Sequence, residues 1–179
     1  ILSCIGEIAI TEIDGADDNA DVANAIRCLR NANREVQSQG WTWNTIESKT
    51  LAPNAITKNI KFLDTYLRLM STSGATIYRR RNGNVYDSSA DTELFTAPIQ
   101  VKMIEELAYD EMPECFRKWI IVKASRAFNI RFFGAAEIEQ ALQQDEEEAH
   151  RLCMEYEMDY GNFNMLDGDS WTGGRIGRS

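Results

Sequence analysis

The sequence predicts a mainly α-helical protein with a β insertion, an α+β chain in which an antiparallel helical bundle carries a small antiparallel β unit. Two long segments place apolar residues at helical spacing, whereas the segment between them is rich in Thr, Ile, Tyr and Val separated by turn residues. We place the bundle at residues 1–42 and 108–161, the β unit with its hairpin at 43–107, and an extended C-terminal tail at 162–179. A chain of 179 residues can bury one core of ordinary size together with such an insertion.

The first full helix is predicted in DVANAIRCLRNANREVQSQG, at residues 21–40. Asn19 or Asp21 can accept hydrogen bonds from the free N–H groups at its start, and Gly40 suits the position after its end. Its apolar residues, at spacings of four, three and seven, are Val22, Ile26, Leu29 and Val36. Upstream, the apolar stretch ILSCIGE at residues 1–7 is interpreted as the end of an earlier helix.

The β unit is predicted from short runs that include TWNTIESKTL, LRLMSTS, ATIYRRRNGNVYDSS and APIQVKMIEE. In the third run, Asn82-Gly83 is the expected two-residue turn of a β-hairpin. Arg79, Arg80 and Arg81 precede this turn. Three arginines at a hairpin tip are suited to bind phosphate or an acidic protein, and they equally suit the protection of an exposed strand edge.

Two further helices follow and are predicted to form an antiparallel hairpin joined at Gly134. Pro113 suits the first turn of the former, and the latter runs from residue 135 to 160 and ends at Gly161. The stretch LCMEYEMDY alternates like a strand, but its apolar residues also continue the helical spacing upstream, which favours a helix. The apolar residues expected to be buried in the first of these helices are Phe116, Trp119, Ile120, Ala124, Ala127, Phe128 and Phe132.

Charge is distributed unevenly between these two helices. Residues 113–133 contain five basic residues against one glutamate, whereas residues 137–169 contain eleven carboxylates against one arginine. The whole chain carries a formal net charge of −9, so the second segment, with its excess of ten carboxylates, accounts for all of it. We therefore predict that the basic and acidic faces meet, either within one chain or between neighbouring copies.

Catalytic motifs are weak in this sequence. His150 is the single histidine, and its position between charged residues is typical of a helix surface rather than of a catalytic triad. Glu155 and Asp159 share a helix face and are the candidates for a carboxylate-dependent glycosidase, with a solvated surface as the simpler interpretation. No glycine-rich loop typical of nucleotide binding is found, and none of these motifs requires catalysis.

Metal sites and membrane segments are not predicted either. The four cysteines lie far apart without a CxxC pair, which argues against zinc and favours free thiols in a reducing compartment. The acidic stretches DGADDNAD and DGD lack the glycine and glutamate spacing of a calcium loop. No apolar run approaches the roughly 20 residues that a membrane helix requires.

The stretches ANREVQSQGWTWN, LMSTSG, YDEMPECFRKWIIVKASRAFNIRFFG and RLCMEYEMDYGNFNMLDGD resemble tail tubular protein A, the head-to-tail adaptor family of short-tailed bacteriophages. The resemblance runs in order over nearly the whole chain, from SCIGE to the end. It implies a virion protein that is assembled in the host bacterial cytoplasm and forms a ring of twelve copies. It implies no enzyme and no cofactor. It also implies that the ring lies between the portal protein and the tail nozzle, which is made of tail tubular protein B, with tail fibres attached nearby.

This resemblance also assigns roles to two sets of residues. The hairpin tip is expected to contact the nozzle or the fibres through Arg79, Arg80, Arg81, Asn82 and Gly83. The end of the last helix and the apolar tail are expected to contact the portal through Tyr160, Phe163, Met165, Leu166 and Trp171. DNA would pass through the acidic ring without specific binding, because like charges repel phosphate. The alternative is a helical regulatory or scaffold domain that binds another protein, which would be a monomer or dimer rather than a ring.

Overall fold

The computed structural model describes residues 20–132 and 134–160. Its helices are α1 (Ala20–Gln37), α2 (Glu114–Phe132) and α3 (Ala136–Tyr160), with a single 3₁₀ turn at Tyr109–Glu111 before α2. Its strands are β1 (Thr45–Leu51), β2 (Tyr66–Ser71), β3 (Ile77–Arg81), β4 (Asn84–Asp87) and β5 (Ile99–Glu105). The expected earlier helix at residues 1–7, Gly161 and the expected tail at 162–179 lie outside the described residues.

The prediction of a helical bundle with a small β unit is wrong. The described chain is an α+β mixture in which three helices accompany a five-stranded antiparallel sheet of order β1-β5-β2-β3-β4. The last strand in sequence, β5, lies between β1 and β2 and pairs with both. This arrangement joins the first and last strands of the β segment, so the sheet is a full layer rather than a hairpin appended to helices.

The sheet has a hydrophobic core of its own. Leu69 of β2 faces Met103 of β5 across the strand pair, and both side chains are almost fully buried. The buried members of this cluster are Leu51, Ile60, Tyr66, Leu69, Val85, Phe95, Val101 and Met103. Residues of the strands and of the loops together exclude water from these side chains, and this burial stabilises the sheet.

The predicted helix α1 is confirmed, but its buried face is displaced from the expected one. Val22 and Val36 are buried, whereas Ile26 and Leu29 are only partly buried. The remaining buried positions are the small residues Ala25, Cys28 and Ala32, together with Gln37. Small side chains on this face allow α1 to approach α2 closely.

Helices α2 and α3 form the predicted antiparallel hairpin. Near the start of α2, the Phe116 ring lies 5.8 Å from the ring of Tyr156, which is near the end of α3. Gly134, with φ of +66°, lies in the connection between the two helices. Two of the residues expected in the buried stripe are not buried: Ala127 is half-buried, and Phe132 is 38% exposed at the end of its helix. No helix in the described part of the chain is both long enough and apolar enough to cross a membrane.

Buried polar side chains connect the helices to the sheet. The Gln37 side chain, fully buried at the end of α1, donates to the Leu107 carbonyl at 3.0 Å and accepts from the Leu107 N–H at 2.8 Å. Asn44 is also buried, and its side chain donates to the Gln37 carbonyl at 2.8 Å. The Asn44 backbone carbonyl in turn accepts from the N–H of Glu105 in β5. Because these bonds satisfy buried polar groups on both sides, they fix the position of α1 relative to the sheet.

Candidate functional site

The hairpin tip has the predicted two-residue turn. Arg81 of β3 pairs with Asn84 of β4, so Asn82 and Gly83 are the only residues between the two strands. Their φ angles are +49° and +73°, as a type I′ turn requires. The turn lies beside β4, the last strand of the sheet, and its Gly83 carbonyl accepts a hydrogen bond from the Phe62 N–H at 3.0 Å.

The three arginines before this turn have different environments. Arg80 forms an ion pair with Asp64, and the guanidinium of Arg81 lies over the Tyr86 ring and 3.7 Å from Glu93. Arg79 is exposed and has no ion-pair partner within the described part of the chain. All three guanidinium groups remain accessible on one strand, so the tip presents a basic surface.

The predicted meeting of the basic and acidic helices is confirmed for two residues of α2. Lys123 lies 3.6 Å from Glu146 of α3 and 3.0 Å from Glu35 of α1. Arg126 contacts Glu146 at 3.0 Å and Glu139 at 2.6 Å. Hydrogen bonds to the Glu139 and Glu146 carboxylates raise the pKa of Arg126 above its ordinary value. This cluster joins all three helices on one side of α2.

Other charges on these helices face solvent. Lys118 and Arg131 of α2 are exposed and have no ion pair within residues 20–132 and 134–160. The exposed carboxylates of α3 include Glu137, Glu147, Glu148, Glu155 and Asp159. The outer surface of α3 is therefore acidic even after the internal ion pairs have formed.

An apolar groove runs between α2 and α3. It has a volume of about 480 Å³. It is lined by Glu114, Cys115, Lys118, Ile121, Val122, Leu152 and Tyr156. Ile121 is 41% exposed there, and Lys118 contributes the positive charge on its α2 side.

Glu157 was not singled out from the sequence. Its side chain is buried, and its carboxylate accepts hydrogen bonds from the Thr42 N–H at 3.1 Å and the Thr42 hydroxyl at 2.8 Å. The spacing of Ala149, Cys153 and Glu157, four residues apart on the buried face, could have indicated this position. Glu157 fixes the end of α3 to the loop that follows α1.

Two comparisons with known proteins identify the family of the chain. The model of a family described as tail tubular protein matches residues 1–163. The chain belongs to the tail tubular protein family. It is also 25% identical over 119 residues to "Tail tubular protein A" of Klebsiella phage KP34, covering 66% of this chain. The chain spans 62% of the length of that relative.

Membership in the tail tubular protein family makes the chain a structural protein of a phage tail and a component of the virion. The carboxylates considered for glycosidase chemistry are exposed on α3, and Glu155 is paired with Arg151. His150 is exposed on the same helix, with its ring 4.7 Å from the ring of Trp119. Among the described residues, no group of three or more His, Cys, Asp and Glu side chains is arranged to hold a metal ion.

The residues expected to contact the portal are only partly described in this tail tubular protein. Tyr160 is the last residue of α3; it is 70% exposed, and its ring stacks on the Tyr156 ring at 4.4 Å. Phe163, Met165, Leu166 and Trp171 lie outside the described residues. The hairpin tip lies on the sheet, whereas Tyr160, the one described residue of the portal set, lies at the end of α3.

Proposed function

We propose that the chain is the head-to-tail adaptor of a short-tailed phage, a ring of twelve copies that joins the portal protein to the nozzle of the tail. The observation that supports this proposal most directly is the family match over residues 1–163, together with the similarity to a relative named tail tubular protein A. In this proposal residues 1–42 and 108–161 form the helical part, residues 43–107 form the tail-facing part, and 162–179 form a docking arm.

The hydrogen bonds that connect the helices to the sheet support a mechanical role for the subunit. Gln37 bonds to Leu107 through two hydrogen bonds, and Glu157 near the end of α3 bonds to Thr42 in the loop that follows α1. In an adaptor, the helices and the sheet must keep a fixed relative position when each of them contacts a different partner. Buried hydrogen bonds that are satisfied on both sides provide this stiffness.

The charge of the subunit supports passage of DNA through the ring during ejection. Twelve copies at −9 would bring a formal charge of −108 to the ring. A surface of this sign repels phosphate and gives no counterion release, so DNA would pass through without binding. The exposed carboxylates of α3 are the largest contribution to this charge within the described residues.

The hairpin tip is proposed as the contact with the nozzle or the fibres. Arg79 and Arg81 are exposed, and the type I′ turn at Asn82 and Gly83 holds them at the edge of the sheet. Simultaneous charge reversal at Arg79, Arg80 and Arg81 is expected to leave the ring intact and to reduce nozzle or fibre attachment. The matched control is Arg30→Glu, a reversal at an exposed position of α1.

The portal contact is proposed for Tyr160 together with Phe163, Met165, Leu166 and Trp171. Removal of all residues after Gly161 tests this assignment. We expect the truncated subunit to have an unchanged thermal unfolding midpoint and to lose binding to the portal. A lower midpoint for the isolated subunit would instead show that these residues belong to its own core.

The adaptor function itself is tested by complementation of a phage that lacks its adaptor gene. The full chain should restore particles in which filled heads carry tails. If heads and nozzles both accumulate but never join although the chain is present and folded, the proposal is wrong.

A further inference from the structure

The apolar groove between α2 and α3 has a counterpart on the opposite side of α3. Leu152 and Tyr156 line the groove. Met154 and Met158 each follow one of these residues by two positions, which is a rotation of about 200° around a helix. The two methionines therefore project from the side of α3 that faces away from the groove, where they are 42% and 66% exposed.

The chemistry of the two sides is complementary. A methionine side chain is flexible and polarizable, so a pair of them one helical turn apart suits an apolar groove lined partly by aromatic and aliphatic groups. Lys118, which has no ion pair within residues 20–132 and 134–160, gives the groove a positive charge; Glu114, which also lines the groove, is paired with Arg117. The exposed methionines are accompanied by the exposed carboxylates of Glu147 and Asp159, and by Arg151, whose charge is paired with Glu155. Contact between the two sides would thus place opposite charges around an apolar centre.

We propose that the groove of one copy receives Met154 and Met158 of the next copy, in a head-to-tail contact repeated around the ring. This inference rests on the proposed ring and identifies the surfaces that build it. A contact between two different patches on opposite sides of one subunit is heterologous, and such contacts close into rings when the rotation per subunit permits. A stable interface buries roughly 800 Å² on each partner, so the groove is its centre and flanking surfaces complete it.

The test uses the full chain with substitutions on either side of the contact. Met154→Glu combined with Met158→Glu alters the projecting side, and Ile121→Glu alters the groove. Because all three residues are exposed, each variant should keep the thermal unfolding midpoint of the unaltered chain. We expect native mass spectrometry to show a ring for the unaltered chain, about 240 kDa for twelve subunits of 20.3 kDa, and a monomer for each variant. The matched control is Ile56→Glu, at a loop position that is 90% exposed, which should form the ring normally.

A mixture of the two variants provides the decisive readout. The groove of the methionine variant and the methionines of the Ile121 variant are both intact, so one contact can form between them and no second one. An equal mixture should therefore give a heterodimer and nothing larger. A mixture that stays monomeric, or that assembles into rings, contradicts the head-to-tail arrangement.

Other results separate this inference from the adaptor proposal. Intact rings from both variants would show that copies meet elsewhere, leaving the adaptor proposal standing. Intact rings with lost portal binding would assign the groove to the portal, and a lower unfolding midpoint for Ile121→Glu would assign it to another segment of the same chain; both overturn the inference. An unaltered chain that remains a monomer at every concentration, with and without its portal, would overturn both proposals.

Discussion

Glu157 is the residue that holds the end of α3 against the loop after α1. Replacement by Ala would leave the N–H and hydroxyl of Thr42 without their acceptor. We expect Glu157→Ala to lower the free energy of unfolding by about 2 kcal/mol, and Glu157→Gln to lower it less because one acceptor oxygen remains. Urea unfolding measures both values. The control Glu155→Ala, at an exposed ion pair, should change stability by at most about 0.5 kcal/mol, and equal losses at the two positions would contradict this role.

Cys153 gives the subunit a specific sensitivity to alkaline pH. Burial, then the neighbouring thiol of Cys115 and the charge of Glu157, raise the pKa of the Cys153 thiol well above its ordinary value of 9.0. Above that pH the unfolded chain releases a proton that the folded chain retains, so stability falls as the pH rises.

The corresponding loss is about 1.4 kcal/mol between pH 8 and pH 10 for a single group of this kind. We expect Cys153→Ala to be less stable at pH 8, because a small cavity forms, but to lose less stability than the unaltered chain over this interval. Urea unfolding under reducing conditions at both pH values measures the difference. Parallel losses in the two proteins would show that the Cys153 thiol does not cause the pH dependence.

The burial of two polar residues could not be predicted from the sequence. The helical spacing of apolar residues predicts the buried side of α1 only approximately, and it assigns every polar side chain to solvent. Gln37 and Glu157 are buried because their partners, Leu107 and Thr42, are separated from them by 70 and 115 residues. Nothing in the local sequence of either residue encodes a partner at that distance.

Gly40 and Gly83 both lie in turns, and the effects of replacing them can be compared directly. Both have positive φ, so Ala at either position incurs a backbone penalty of roughly 1–2 kcal/mol. An added Cβ at Gly83 would meet no atom within 4 Å, whereas at Gly40 it would lie 2.5 Å from the Cδ1 atom of buried Ile104. We expect Gly40→Ala to be the more destabilising change by roughly 1–3 kcal/mol, measured by thermal or urea unfolding. Equal effects would mean that Ile104 adjusts without strain.

The ion pairs of Arg126 stabilise the hairpin of α2 and α3. Arg126→Met would leave the carboxylates of Glu139 and Glu146 without their guanidinium partner. We expect a loss of about 1 kcal/mol at low ionic strength, and a smaller loss in 1 M salt because screening weakens charge interactions. Arg151→Met, which removes an exposed pair within α3, should cost only about 0.3 kcal/mol. A loss at Arg126 that does not change with salt would indicate packing rather than charge.

The structural elements that could be predicted are those whose sequence signals are local. The type I′ turn at Asn82 and Gly83 and the connection at Gly134 follow from residue type alone, and the structure confirms both. The size of the sheet was underestimated because its central pairings are not local. β5 pairs with β1 across about fifty residues, and the sequence pattern shows each strand without showing its neighbour. The buried stripe of α2 was also predicted to contain too many residues, since Phe132 at the helix end is 38% exposed.

At the scale of the whole molecule, the subunit has two layers with different surfaces. The sheet carries the basic hairpin tip, whereas the helices carry the acidic outer face of α3 and the exposed Tyr160. A protein that joins two different partners requires distinct surfaces of this kind. Family membership shows that the chain is a phage tail protein. The adaptor proposal assigns the hairpin tip to the nozzle or the fibres, and Tyr160 to the portal.

The adaptor proposal is tested most directly by electron microscopy of the purified full chain mixed with the portal protein of the same phage. We predict a closed ring of twelve copies that lies coaxially on the portal, with the sheet and its hairpin pointing away from the portal. The same images should show an open channel lined by the ring. A chain that binds no portal, or that binds it as scattered single subunits away from the channel axis, would contradict the proposal.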